Sequence, residues 1–118
     1  MKTDNIIQTK TYAFALKVIL VYKKLTSEKR EFVLSKQLLR SATSIGANVE
    51  EALGGQSKRD FIHKISIAYK EARETHYWLR LLRDSSYLNK NEADALLQDV
   101  EEVLRIISAI QKTLKSRM

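Results

Sequence analysis

Apolar residues recur along this chain in alternating steps of four and three, the repeat of a helix that buries one face. Ile7, Thr11, Phe14, Val18, Val21 and Leu25 mark the first run and predict a helix over about 5–25. A connection follows at about 26–29, with 28–32 irregular. Leu34, Leu38, Ala42, Ile45, Val49 and Ala52 or Leu53 predict a second helix, from 34 or 35 to 53. Gly54-Gly55 is expected to stop it, because glycine readily takes the left-handed conformation that ends helices. Ser57 then caps a third helix, with Asp60 three residues later in a capping-box-like position. Phe61, Ile65, Ala68, Ala72, Thr75, Leu79 and Leu82 carry it to about 84. After a turn over 85–90, Asn91 is the expected cap of a fourth helix through Ala93, Leu96/Leu97, Val100, Val103/Leu104, Ile107, Ile110 and Leu114. Short joints make sequential helices pack antiparallel. The expected fold is all-α: an antiparallel, up-down-up-down four-helix bundle, one domain over 1–118.

The first helix carries more apolar surface than one buried face needs. Ala13, Ala15, Leu16, Ile19 and Leu20 add to its stripe, and Lys17 is the only charge within 12–22. A helix apolar around most of its circumference needs cover on more than one side, and a lone bundle covers one. A subunit interface is therefore expected at Leu16, Ile19 and Leu20, in a homo-oligomer. The third helix offers a basic and aromatic strip, Tyr69, Arg73, His76, Arg80 and Arg83. Such residues stack on bases and hold phosphates, and they are equally favoured at protein interfaces. Tyr69 and His76 are assigned to the oligomer interface on that second ground.

Composition narrows the function classes. Among 118 residues, 44% are hydrophobic and 30% charged, as in an ordinary globular domain. Proline is absent and glycine occurs three times, which suits long helices. The absence of cysteine removes disulfides, thiolate metal sites and cysteine nucleophiles. The polar N-terminus lacks the apolar core of a secretory signal. The longest apolar stretch, 12–22, is too short for a membrane span, so a cytoplasmic protein without membrane contact is expected. The net charge of +7 is uneven: residues 1–49 hold nine Lys/Arg against three Asp/Glu, and residues 50–118 hold twelve against eleven. Such asymmetry marks either a face for a polyanion, RNA or DNA, or a solubility feature. On the first reading, Lys10, Lys17 and Lys24, on one line at seven-residue spacing, join Lys36 and Arg40 in contacting phosphates.

Catalytic chemistry finds little to stand on. His63 and His76 are 13 residues apart on one helix, about 20 Å, and cannot share a metal. Helical ribonucleases of the HEPN type place four to six residues between an Arg and a His; Arg59/His63 and Arg73/His76 have three and two. No phosphate loop or serine triad pattern occurs, so no catalytic residue, metal or cofactor is expected. A polar line on the second helix stands out instead: Gln37, Ser41, Ser44, Asn48 and Glu51, near the small residues Gly46 and Ala47. Together with Glu71 and Glu74 of the third helix, it forms either a tight interhelix hydrogen-bond network or a polar groove for a ligand or partner. A protein-binding scaffold using an apolar or polar groove is thus the alternative to nucleic-acid binding.

The second and third helices also carry motifs. They are Gln37-Leu38-Leu39-Arg40-Ser41-Ala42, Ser44-Ile45-Gly46-Ala47-Asn48-Val49-Glu50-Glu51-Ala52 and Ser57-Lys58-Arg59-Asp60-Phe61-Ile62, followed by Ile67-Ala68, Glu74 and Trp78-Leu79. In these the chain resembles the bacterial four-helix bundle proteins known as 23S rRNA intervening-sequence proteins, also labelled ribosomal protein S23. Ala52 replaces a frequent glycine, and Lys70-Glu71 stands where many members have Gly-Ser, which suggests a subgroup. The resemblance implies a ring-shaped homopentamer without catalytic residues. It also implies kinship with the accessory variability protein of diversity-generating retroelements, whose basic pentamer binds nucleic acid and a protein partner, its reverse transcriptase.

Overall fold

The four periodic segments are helices in the computed structural model, which describes residues 2–116. They are α1 (Lys2–Ser27), α2 (Leu34–Leu53), α3 (Lys58–Asp84) and α4 (Lys90–Ser116). α1 packs on α2 and α4, and α3 packs on the same two, so α1 and α3 occupy opposite corners of a rod 47 × 21 × 19 Å. Paired side chains give the direction of each neighbour. Gln8 reaches Glu50, while Thr11 lies against Gly46. Ser41 meets Thr75, and Glu51 meets Lys64. His76 meets Glu101, and Arg83 meets Asp94. Lys10, Lys17 and Lys24 meet Glu102, Asp99 and Glu92. At every seam one number rises as the other falls, so each helix runs against its neighbours.

The core consists of the expected stripes, with Leu34, Leu53, Phe61, Leu104 and Leu114 at its half-buried margin. Among the described residues, four hydroxyl side chains are buried with it: Thr11, Ser35, Ser41 and Thr75. A buried hydroxyl costs free energy unless it is hydrogen-bonded. Thr11 donates to the Ile7 carbonyl at 2.8 Å. Ser41 and Thr75 lie 2.9 Å apart, and Thr75 Oγ1 is 2.8 Å from the Glu71 carbonyl. The small residues around that pair let α2 and α3 approach more closely than α1 and α4 do.

The helix ends add to the expected ones at the start of α2 and differ from them in other places. α1 extends to Ser27, and the irregular connection runs over 28–33. α2 has no side-chain cap at Val33; the Glu31 carboxylate takes that role, accepting from the N–H groups of Val33, Leu34 and Ser35 at 3.2, 3.1 and 2.7 Å. Neither Gly54 nor Gly55 has a positive φ, so left-handed backbone is not why they end α2. A close approach favours glycine at Gly55, where a Cβ would lie 3.2 Å from the Ala52 carbonyl and 2.7 Å from the carboxylate of exposed Asp60, which can shift. α4 is capped by Asn89 and not Asn91: Asn89 Oδ1 accepts from the Glu92 N–H at 2.7 Å. Leu88, just before that cap, folds into the core and seals the turn. At the start of α3 the expectation holds, with Ser57 Oγ accepting from the Asp60 N–H at 3.0 Å.

Candidate nucleic-acid interface

The five cations expected to contact phosphates fall into two groups. Lys10, Lys17 and Lys24 line the α1–α4 seam, where each bridges to an α4 carboxylate: Glu102 at 2.8 Å, Asp99 at 2.9 Å and Glu92 at 3.4 Å. The Lys10 ammonium holds the Glu102 carboxyl below its ordinary range. Each of these exposed lysines is therefore paired with a carboxylate within the chain, which the line read from the sequence alone does not show. The physical reason is complementary spacing, since Glu92 and Asp99 repeat at the same seven-residue interval in the opposite direction. Lys36 and Arg40 are different. Both are exposed on α2 and form no ion pair among the described residues.

α3 extends that exposed basic surface. Its buried positions 65, 68, 72, 75, 79 and 82 fix the opposite crest at 63, 70, 73, 77 and 80. His63, Lys70, Arg73, Tyr77 and Arg80 are all exposed there, and the three cations among them have no ion-pair partner among the described residues. The Arg80 guanidinium lies 5.7 Å from the centre of the Tyr77 ring, and Tyr77 meets Trp78 edge-on at 5.2 Å. The strip read from the sequence as Tyr69, Arg73, His76, Arg80 and Arg83 is thus split. Arg73 and Arg80 face solvent. His76 turns to α4, with Nε2 2.9 Å from Glu101, and Arg83 bridges Asp84 and Asp94 at 2.9 and 3.0 Å. Lys70 and Tyr77, absent from the sequence-derived set, share the face with Arg73 and Arg80 by the same three-four spacing counted from the far side of the core.

The polar line of α2 is divided as well. Ser41 is buried against Thr75, and Asn48 folds back onto Ser44, donating to its carbonyl at 2.8 Å and its hydroxyl at 3.1 Å. Glu51 turns to Lys64 at 3.1 Å, and Gln37 is half-buried. Gly46 lies against Thr11 of α1, on another side of α2 from Ser41. Glu74 accepts from Trp78 Nε1 at 3.3 Å. Burial pushes the neighbouring Glu71 carboxyl up and the Glu74 charge adds to this, while Arg40 opposes both. Among the described residues, no group of three His, Cys, Asp or Glu side chains could hold a metal ion. Nor is any helix there long and apolar enough to cross a membrane.

The expected oligomer residues stand on two corners. Leu16 and Leu20 of α1 are 50% and 66% exposed, flanked by exposed Tyr12 and half-buried Ile19. Tyr69 and His76 are half-buried on α3, at the diagonal corner.

An apolar-crested, basic four-helix bundle of this length defines a class of small helical proteins. The chain belongs to the 23S rRNA-intervening sequence protein family, whose profile matches residues 3–109. It is similar to a crystal structure of a protein of unknown function from the S23 ribosomal protein family of Bacteroides thetaiotaomicron, at 44% identity and a TM-score of 0.92. That match covers 93% of this chain and 98% of the other. Among curated proteins, none matches.

Proposed function

We propose that this chain is a non-catalytic, cytoplasmic, oligomeric protein that holds RNA or DNA by its phosphates across the outer faces of α2 and α3. The observation that carries this reading is the contrast in cation pairing. Lys36, Arg40, Lys70, Arg73 and Arg80 are exposed without ion-pair partners among the described residues, while Lys10, Lys17 and Lys24 of α1 are each bridged to α4. Unpaired Lys and Arg bind phosphate by releasing counterions, with no base readout required. The family description, 23S rRNA-intervening sequence protein, points to the same ligand class.

Assembly supports the same function. The exposed Leu16–Leu20 crest and the Tyr69–His76 side lie on different helices, two distinct surfaces of the kind a head-to-tail contact between successive copies uses, and such contacts form a ring where the rotation closes. A homopentamer repeats the basic face five times. The test is mass measurement in solution followed by RNA and DNA titration at about 50 mM salt, where electrostatic binding is strong. An oligomer whose binding weakens steeply with added salt is expected. Absence of binding to either nucleic acid overturns the reading. So does a stoichiometric protein partner that survives nuclease treatment and accounts for all retention.

A further inference from the structure

Phe32 and Val33 stand on the α1–α2 connection, 54% and 70% exposed. As sequence neighbours these two large apolar side chains form a small exposed apolar patch. The backbone on both sides of Phe32 is tied. The Glu31 N–H donates to the Leu25 carbonyl at 3.0 Å, and the Glu31 carboxylate holds the N–H groups of Val33, Leu34 and Ser35. The Ser35 hydroxyl donates back to the Glu31 carbonyl at 2.6 Å. Arg30 takes a left-handed φ of 52°, and its guanidinium lies 5.9 Å from the centre of the Phe32 ring. Lys29 and Lys36 flank the ring in sequence, both exposed and without ion-pair partners among the described residues.

We propose that Phe32 is a stacking platform for one unpaired base of a single-stranded nucleic acid, with Lys29, Arg30 and Lys36 on the adjoining phosphates. This rests on the nucleic-acid reading above and adds the form of the strand. An exposed ring beside a guanidinium, among free cations, is the combination that stacks bases without regard to sequence. Lys36 belongs also to the α2–α3 face, so a strand leaving that face along α2 passes the ring. A duplex keeps its bases stacked on one another and offers the ring no open face along its length.

The full chain is titrated with a labelled single-stranded oligouridine of about 12 nucleotides and with an RNA duplex of equal length, at one low salt concentration. F32A is expected to bind the single strand about tenfold more weakly and the duplex unchanged, with F32W close to the original protein. The inference is overturned if F32A holds the single strand as tightly as Phe32 does, or loses strand and duplex alike. It is also overturned if F32A changes the mass of the protein in solution, which would place Phe32 in an assembly contact. Binding of duplex but not single strand by the unmodified protein removes this inference alone. Binding of neither removes the nucleic-acid reading with it.

Discussion

Between α2 and α3 the small side chains Ser41 and Thr75 face each other, both buried, and the two helices pack closely enough for their hydroxyls to pair. Between α1 and α4 the approach is looser. A cleft of about 110 Å³ lies over Phe14 and Val103, and three lysine–carboxylate bridges line that seam. One seam is closed by small residues, the other is spanned by long charged ones. The difference bears on the proposed function, because a cation bridged across a seam must give up that contact to hold a phosphate. The α2–α3 seam carries one such bridge, Lys64 to Glu51, and Lys36, Arg40, Lys70, Arg73 and Arg80 on its outer faces form no ion pair among the described residues.

Enlarging a side chain separates the two seams most strongly. Ala72→Leu forces extra volume into the fully buried core face of α3 and should cost about 1–3 kcal/mol in urea unfolding. Ala13→Leu, at the exposed α1–α4 cleft, should cost less than about 0.5 kcal/mol. Equal costs would dissolve the contrast. Thr75→Val leaves the buried Ser41 hydroxyl short of its partner and should cost about 1 kcal/mol. Adding Ser41→Ala should restore part of that loss, since both polar groups are then gone.

Two carboxyls, at the start of α2 and on α3, carry opposite pH signatures. Burial raises the Glu31 carboxyl, but the N–H groups of Ser35, Leu34 and Val33 and the Ser35 hydroxyl outweigh it and hold it below its ordinary 4.5. Its stabilising contribution is therefore complete above that value and fades as pH falls through the lowered one. Glu71 is raised, by burial first and Glu74 second, so its contribution is present below 4.5 and is lost as pH rises through the raised value. Glu31→Ala should lower stability at pH 7 by about 1 kcal/mol and by less in acid. Glu71→Gln should reduce the loss on going from acid to neutral pH. Unfolding curves between about pH 3.5 and 7 check both, and opposite slopes would reverse the assignment. The smallest effect belongs to the charged seam: Lys17→Ala should cost less than about 1 kcal/mol, with the difference shrinking as salt is added.

The buried stripe of every helix was legible in the sequence because helical periodicity depends only on which positions are apolar. Helix ends were less so. Asn89 and Asn91 are equally good caps by residue type, and only the fold of Leu88 into the core decides between them. Glu31 caps α2 from outside the usual position, with no spacing rule to announce it. The basic residues were visible, but their pairing was not. Lys10, Lys17 and Lys24 read as a free line until α4 is placed antiparallel beside them and brings up Glu102, Asp99 and Glu92. The crest of Lys70, Arg73, Tyr77 and Arg80 needed only the complement of the α3 core stripe. A strip drawn through Tyr69, His76 and Arg83 obscured it, because those side chains turn partly inward.

The most direct test compares two triple variants in RNA binding across a range of salt. R40A/R73A/R80A should weaken binding and reduce the slope of log affinity against log salt by about 2, near 0.7 for each lost contact to a single strand. K10A/K17A/K24A should change that slope by less than about 1. A large change from the α1 variant with none from the α2–α3 variant would contradict the account.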